Sequence, residues 1–138
     1  MQRRFYLDTA IWMDYFGARG NGIRPLGDLA FRFLKDCEKH KCKVLYSDIV
    51  LKELKGVPKE RLEEAFSSFR GIILKVAFSE AQAKEAERIS EERQLPFNDA
   101  FHAIIARDNF ALMVTRDRHF GELSDIVESR APEEITLG

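Results

Sequence analysis

The sequence predicts an α/β fold in which helices cover both faces of a parallel sheet. Short apolar segments alternate with amphipathic segments along most of the chain, and parallel strands need helical crossovers of this kind. Acidic residues follow several of the apolar segments, and open α/β sheets gather ligand-binding groups at the carboxyl ends of strands. With 138 residues, 45% of them hydrophobic, we expect a single domain over residues 1–138.

The sequence of the N-terminal part of the chain predicts one strand and two helices. Residues 4–7 form a short apolar strand, and Thr9 is the expected N-cap of a helix over residues 9–16. Glycines between residues 17 and 22 end this helix, and a proline opens a second helix over residues 25–40. The apolar positions of the second helix recur at the spacing of one buried face: Leu26, Leu29, Ala30, Phe33, Leu34 and Cys37.

A second strand over residues 43–46 leads into the middle of the chain. Ser47 is the expected N-cap of a short helix that carries Glu53. Pro58 starts the next helix, and a third strand follows over residues 72–76. The core-facing positions of the helix between them are Leu62, Ala65, Phe66 and Phe69.

A long and densely charged helix comes next in the sequence. Ser79 and Gln82 form a capping box at its start, and Pro96 breaks it. Most of its surface is expected to face solvent. Asn98 is the expected N-cap of a final major helix over residues 99–107.

Two further strands complete the predicted sheet. Residues 111–115 form a buried fourth strand that runs directly into Asp117. A weak fifth strand is expected over residues 134–137. The alternation of helices and strands therefore favours a sheet of parallel strands with acids near its carboxyl edge.

Four acidic residues are spread over most of the chain, and three of them stand where a buried strand ends or the helix after one begins: Asp8, Glu53, Asp99 and Asp117 are the four. Each one alone is explained by a role at a helix N-terminus or in a turn. If they converge to about 5 Å, each like-charged pair costs about 3 kcal/mol at an effective dielectric constant near 20. A bound cation or raised pKa values must then compensate. Oxygen ligands at a hydrated sheet edge suit Mg²⁺ or Mn²⁺, and we favour the metal.

These segments resemble the PIN domain family, in particular the VapC-like toxin ribonucleases of toxin-antitoxin systems. The matching pieces are Asp8-Thr9 after the first strand, Ser47 followed six residues later by Glu53, Asp99 with its Ala-rich helix, and Thr115-Arg116-Asp117. The resemblance covers nearly the whole chain and implies a PIN-like three-layer α/β/α fold with a central parallel sheet of about five strands. It also implies a metal-dependent nuclease site.

The function implied by the resemblance is hydrolysis of RNA phosphodiester bonds by an endoribonuclease that uses Mg²⁺ or Mn²⁺. The expected catalytic residues are Asp8, Glu53, Asp99, Asp117 and Thr115, and the four acids are the expected metal ligands. Thr115 would orient a carboxylate or a water, and Thr9 is a candidate for a similar supporting role. The implied partners are RNA, a cognate antitoxin protein of a type II pair, and a second copy of the chain in a homodimer.

Two departures from the family pattern leave other functions open. Ala10 stands where family members often have Asn or Ser, and His119 stands where a further acid is common. These changes favour, as one alternative, a catalytically weak PIN-like module that binds RNA or protein; His119 can instead contact a phosphate. An RNA-processing nuclease outside toxin-antitoxin systems is a second alternative. A phosphoacceptor domain is a third, although its paired acids and downstream lysine are absent from the expected places.

Other candidate residues have simpler explanations. Cys37, His40 and Cys42 offer three zinc-type ligands without a fourth nearby, so we expect reduced cysteines. His102 shares a helix face with Asp99, but its apolar neighbours favour a structural histidine. The aromatic side chains near the N-terminus are expected in the core rather than stacked on bases: Trp12, Tyr15 and Phe16.

The charge and cysteine content limit which partners and cellular settings the sequence favours. The chain has 22 Lys and Arg against 23 Asp and Glu, so binding of an anionic partner needs a local basic patch. Arg116 and Arg118 flank Asp117 and are candidates for contact with the RNA backbone, or else solvated surface residues. Two cysteines are too few for a disulfide framework and no stretch is apolar enough to cross a bilayer, so we expect a cytoplasmic protein.

Overall fold

The structure is a computed structural model that describes residues 2–17 and 25–138. Within these residues, five strands form one sheet in which every pairing is parallel. The strands are β1 (Arg4–Leu7), β2 (Lys43–Tyr46), β3 (Ile73–Lys75), β4 (Leu112–Val114) and β5 (Ser129–Arg130). Their order across the sheet is β3-β2-β1-β4-β5.

Helices connect the strands and form the outer layers. They are α1 (Thr9–Tyr15), α2 (Leu26–Lys39), α3 (Asp48–Glu53), α4 (Lys59–Ser68), α5 (Glu80–Arg93) and α6 (Phe97–Asp108), with short 3-10 segments at Arg118–Leu123 and Pro132–Glu134. The predicted PIN-like three-layer α/β/α fold with a five-stranded parallel sheet is therefore confirmed. In the part of the chain that the structure describes, no helix is both long enough and apolar enough to span a membrane.

The central strand β1 is buried on both faces. Phe5, Tyr6 and Leu7 have no exposed surface, because β1 lies between β2 and β4 and helices cover the sheet. A strand buried in this way needs an almost continuous apolar sequence. Asp8 follows it directly and is therefore held at the carboxyl edge in the middle of the sheet.

The aromatic residues of α1 belong to the core, as predicted. Trp12 has no exposed surface and Phe16 is 4% exposed. The Trp12 ring packs edge-on against Phe66 of α4 at 5.2 Å between centroids. Tyr15 is partly buried and donates a hydrogen bond to the carbonyl of Ala65. These contacts fix α1, and with it the residues that follow β1.

The predicted fifth strand was wrong. The fifth strand is Ser129–Arg130, which pairs with Met113 and Val114 of β4, whereas residues 134–137 lie outside the sheet. A two-residue edge strand of polar residues carries no apolar run, so hydrophobic pattern could not reveal it. The predicted third and fourth strands were also longer than Ile73–Lys75 and Leu112–Val114, the strands that form.

Two predicted helix caps were also wrong. The N-cap of α1 is Asp8 rather than Thr9, and the N-cap of α6 is Pro96 rather than Asn98. Ser47 is the N-cap of α3, but its side chain makes no capping hydrogen bond. The glycines predicted to end α1 lie mostly in residues 18–24, outside the described residues.

Two other local predictions are confirmed. The capping box of α5 forms, with the Gln82 N–H donating to Ser79 Oγ at 3.2 Å and the Ser79 N–H donating to Gln82 Oε1 at 2.7 Å. Cys37 and Cys42 are both buried and not disulfide-bonded. Burial raises the pKa of the Cys37 thiol, so this cysteine is a packing residue rather than a reactive one.

Candidate active site

The carboxyl ends of β1 and β4 bring two of the predicted acids to one edge. The Asp8 N–H donates to the Val114 carbonyl at 2.9 Å, which continues the parallel pairing past the strand end. Thr115 donates its hydroxyl hydrogen to Asp8 Oδ2 at 3.0 Å, and Thr115 Oγ1 accepts a hydrogen bond from the Asp117 N–H at 3.0 Å. Thr115 therefore links the Asp8 carboxylate to the backbone that carries Asp117.

Glu53 lies at the end of α3, and two side chains donate hydrogen bonds to one of its oxygens. Thr9 donates to Glu53 Oε1 at 2.8 Å, and His102 Nε2 lies 2.7 Å from the same oxygen. Burial on its own would raise the pKa of Glu53, but the hydrogen bonds from His102, Thr9 and Asn98 outweigh burial and lower it. Glu53 is therefore ionised at neutral pH.

Asp99 lies in the first turn of α6 and faces the other acids. Burial raises its pKa, and the nearby charges of Asp117 and Asp8 raise it further. The pKa of Asp8 is also raised by burial, against the opposing effects of the His102 ring and the Thr115 hydroxyl. A helix N-terminus normally favours an ionised aspartate, so burial, together with the charges of the neighbouring acids, outweighs that effect at Asp99.

The sequence missed a buried network beneath Glu53. His102 is 1% exposed, as expected of a structural histidine, but its ring contacts the site. Its Nδ1 atom lies 2.7 Å from the Tyr6 hydroxyl, which lies 2.7 Å from Ser47 Oγ. The available signal was the three-residue spacing of Asp99 and His102, which places both on one helix face.

Two further acids, Asp48 and Asp14, pair with basic side chains. Asp48 forms an ion pair with Lys75 at 2.6 Å. The buried Asp14 receives a hydrogen bond from Arg116, which also bonds Glu133 at 2.8 Å. Arg116 therefore pairs with two acids of its own chain and is not a solvated surface arginine.

The position of the departure at residue 119 is also defined. The His119 backbone N–H donates to Asp117 Oδ1 at 2.9 Å, and the His119 ring Nδ1 lies 3.2 Å from the same oxygen. The His119 side chain is 70% exposed. His119 therefore stands beside Asp117 at the mouth of the site, where it can contact solvent or a ligand.

Two cavities share Asp117 in their lining. The smaller, about 280 Å³, is lined by residues that include Asp8, Ala10 and Asp117. The larger, about 510 Å³, is lined by residues that include Asp117, Arg118 and Arg130. A bound ligand can therefore reach both the acidic edge and a group of arginines, while Ala10 offers no polar group to the smaller cavity.

The donor chemistry of this edge fits a hard divalent cation. Carboxylate oxygens are the ligands that Mg²⁺ and Mn²⁺ prefer, and a cation would relieve the repulsion that raises the pKa of Asp99. Within residues 2–17 and 25–138, however, no group of three or more His, Cys, Asp or Glu side chains is spaced to hold a metal ion. The structure therefore shows interacting carboxylates of suitable chemistry without an assembled ligand cage.

A parallel α/β/α domain that carries acids at the carboxyl edge of its sheet belongs to the class of proteins that bind ligands there. The sequence model of the PIN domain matches residues 5–126. The chain belongs to the PIN domain family. PIN domains are in general nucleases, and they generally use divalent metals. A comparison with curated proteins gave no significant match.

Two solved structures share the fold at low sequence identity. One is the crystal structure of VapBC2 from Rickettsia felis bound to a DNA fragment from the VapBC2 promoter. It shares 21% sequence identity with this chain, with a TM-score of 0.68, and the match covers 93% of this chain and 98% of that chain. The other is FitAcB from Neisseria gonorrhoeae, with 19% identity and a TM-score of 0.63 over 95% of this chain and 99% of that chain. At these identities the likeness shows a common fold.

Proposed function

We propose that this chain is an endoribonuclease that hydrolyses RNA phosphodiester bonds with Mg²⁺ or Mn²⁺, and that it is the toxin of a type II toxin-antitoxin pair. The observation that carries the proposal is the group of carboxylates at the carboxyl edge, where burial first and then the charges of Asp117 and Asp8 raise the pKa of Asp99. The pKa values of Asp8 and Asp99 are raised, and within the described residues no Lys or Arg side chain pairs with either of them. A divalent cation is the partner that this edge requires.

The acids have distinct proposed roles. Asp8 and Asp99 are the proposed direct ligands, while Glu53 and Asp117 complete the coordination directly or through water. Thr115 holds the Asp8 carboxylate by its hydrogen bond of 3.0 Å, so Asp8 keeps one orientation. A divalent cation bound there would lower the pKa of a water and stabilise charge on the scissile phosphate.

The substrate approach is proposed to run past Asp117. The larger cavity beside it is lined by Arg116, Arg118 and Arg130 as well as by acids. Arg118 is exposed at the start of its 3-10 segment. Because an RNA backbone carries one negative charge per nucleotide, we propose that Arg118 contacts a phosphate next to the one that is cleaved.

The proposed setting is a cytoplasmic toxin-antitoxin pair. The similar folds of VapBC2 and FitAcB support a cognate antitoxin as partner, and we further propose a homodimer in which residues 1–138 form one nuclease domain. A nuclease of RNA processing would use the same site. The presence of a small open reading frame next to the gene would favour the toxin over the processing enzyme.

A catalytically weak PIN module is the second candidate. Two observations favour it, since Ala10 lines the cavity beside Asp8 without a polar group and His119 stands on Asp117 where a further acid is common. Such a module would bind RNA or protein but would not cleave RNA when a divalent cation is added.

Cleavage of RNA by the purified chain with Mg²⁺ or Mn²⁺ tests the proposal. Asp8→Asn and Asp99→Asn should each reduce cleavage to near background, because each removes a charge from the edge. Asp108→Asn is the matched control, since Asp108 lies on α6 like Asp99 but pairs with Arg107. Equal cleavage by native protein and both site variants would contradict the proposal and indicate a contaminating nuclease.

A further inference from the structure

A chain of hydrogen bonds runs from the core to one of the acids. Ser47 Oγ and the Tyr6 hydroxyl are 2.7 Å apart, the Tyr6 hydroxyl and His102 Nδ1 are 2.7 Å apart, and His102 Nε2 and Glu53 Oε1 are 2.7 Å apart. Ser47 and Tyr6 have no exposed surface, and His102 is 1% exposed. Glu53 is therefore tied to the interior by groups that water does not reach.

The chemistry of the groups fixes the direction of these bonds. Glu53 Oε1 also accepts the Thr9 hydroxyl hydrogen, and a carboxylate oxygen accepts hydrogen bonds, so the hydrogen between it and His102 belongs to Nε2. In a neutral ring Nδ1 then accepts from Tyr6, and Ser47 donates to Tyr6. In a doubly protonated ring Tyr6 donates to Ser47 instead. His102 Nε2 donates to Glu53 in both cases.

The two donors on Glu53 Oε1 belong to the segments that carry other site acids. Thr9 is the chain neighbour of Asp8, and its hydroxyl donates to Glu53 Oε1 at 2.8 Å. His102 lies one helical turn after Asp99 on α6. Glu53 is therefore fixed relative to Asp8 from one side and relative to Asp99 from the other.

We propose that His102, anchored by Tyr6, is a positioning residue that holds the Glu53 carboxylate in the orientation needed for cation binding. This inference rests on the proposed function, because it concerns the same site. Side chains that hold a metal-binding carboxylate orient it, and their loss typically weakens metal affinity about tenfold to a hundredfold.

A structural role alone does not explain why the side chains of this buried network are polar. A buried polar group left without a partner is strongly unfavourable, whereas replacing both partners by apolar groups of the same shape is close to neutral. Apolar residues in place of Tyr6 and His102 would fill the same space among the surrounding core residues, including Ile104 and Ile105. A purely structural role therefore does not require polar atoms here.

The test measures Mn²⁺ binding from the electron paramagnetic resonance signal of free Mn²⁺, without RNA. His102→Leu should raise the dissociation constant about tenfold or more. His102→Gln, which keeps a donor at the reach of Nε2, should stay within about threefold of native. Ile105→Val is the matched control, because it also alters a buried residue of α6 but makes no contact with Glu53 in the network; its affinity should equal native. If His102→Leu binds Mn²⁺ as tightly as native, the inference is overturned.

A second readout needs neither metal nor activity. Ring ¹⁵N spectra of the native chain should show His102 protonated at Nε2, and the Glu53 carboxyl ¹³C resonance should move in His102→Leu. A ring protonated at Nδ1 alone overturns the inference, even if the native chain cleaves RNA. If the native chain fails to bind Mn²⁺, the proposed function is contradicted, while the ring spectrum still decides whether His102 holds Glu53.

If His102→Leu does not fold, Tyr6→Phe replaces it in the test. This variant removes only the hydroxyl that anchors His102, and it should weaken Mn²⁺ binding about threefold or more.

Discussion

The two ends of helix α6 carry acidic residues in opposite electrostatic settings. At the C-terminal end, Arg107 bonds both oxygens of Glu85 at 2.8 Å and one oxygen of Asp108 at 2.8 Å. Those hydrogen bonds hold the pKa values of Glu85 and Asp108 below their ordinary range. At the N-terminal end, burial and the charges of neighbouring acids raise the pKa of Asp99.

On the proposed function, the difference separates acids that pair within the chain from acids that bind an external cation. Arg107 bonds both Glu85 and Asp108, so each of these acids has a cationic partner in the folded protein. The N-terminal acids have hydroxyl and imidazole donors, which orient carboxylates but do not neutralise several of them. We infer that the cation missing from this balance comes from solution.

The largest expected effect of this contrast is on stability with and without cation. Asp99 has a raised pKa, so between its ordinary value of 3.8 and the raised value the metal-free folded protein holds a proton that the unfolded chain has released. The free energy of unfolding should therefore fall as pH rises through that window, and Asp99→Asn should lessen the fall. At neutral pH, Mn²⁺ at a hundred times its dissociation constant should add about 2.7 kcal/mol to native protein.

Denaturant unfolding at several pH values measures both effects. Asp108→Asn should respond to Mn²⁺ like native protein, because Asp108 belongs to the compensated end of α6. Its own pKa is lowered, so its removal should act in the opposite direction, lowering stability above the ordinary aspartate pKa. Equal Mn²⁺ responses in Asp99→Asn and native protein would remove the contrast between the two ends.

Thr115 provides the next largest effect. Thr115→Val keeps the shape of the side chain but removes the hydroxyl that donates to Asp8 and accepts from the Asp117 N–H. Cleavage should fall about tenfold, while Thr115→Ser should retain most activity because it keeps the oxygen. Initial rates of RNA cleavage measure this effect. Full cleavage by Thr115→Val together with a loss in Thr115→Ser would show that packing of the methyl group, and not the hydroxyl, is what matters.

Loss of the compensating arginine should give a smaller effect of a different kind. Arg107→Gln leaves Glu85 and Asp108 without their cation, but both side chains are partly exposed. We expect a loss of about 1 kcal/mol or less in the free energy of unfolding, and unchanged cleavage rates. A large loss of cleavage would mean that the C-terminal end of α6 is coupled to the active site.

The smallest effect is expected at the proposed RNA contact. Arg118→Ala should raise KM a few-fold at unchanged kcat and reduce the slope of log affinity against log salt by about 1. Arg88→Ala is a suitable control, since Arg88 pairs with Glu92 on the exposed face of α5. RNA binding over a range of salt concentrations gives both quantities. An unchanged salt slope in Arg118→Ala would remove the proposed contact.

Most of the fold follows from the hydrophobic pattern. The buried strand at residues 4–7 and the stripe on α2 were predictable because each buries a regular set of apolar side chains. The strand Ser129–Arg130 was not, because an edge strand is held by backbone hydrogen bonds to β4 that leave no mark on side-chain type. Backbone pairing with β4, and not side-chain type, makes Ser129–Arg130 a strand.

The candidate site likewise contains residues that the sequence predicts and contacts that it does not. Asp8 and Asp117 follow from strand ends, since β1 and β4 carry them to a common edge whatever the details of packing. The partnership of Tyr6 with Ser47 and His102 joins positions 41 and 96 residues apart. Such contacts depend on the relative placement of β1, β2 and α6, and residue type alone cannot give that placement.

The most direct test of the compensating cation is a crystal structure grown with Mn²⁺, with anomalous diffraction recorded at the manganese edge. We expect an anomalous peak within coordination distance of the Asp8 and Asp99 carboxylates, and none beside Glu85 and Asp108, which already pair with Arg107. A peak at the C-terminal end of α6, or Asp8 and Asp99 side chains directed away from each other with no manganese between them, would contradict this expectation.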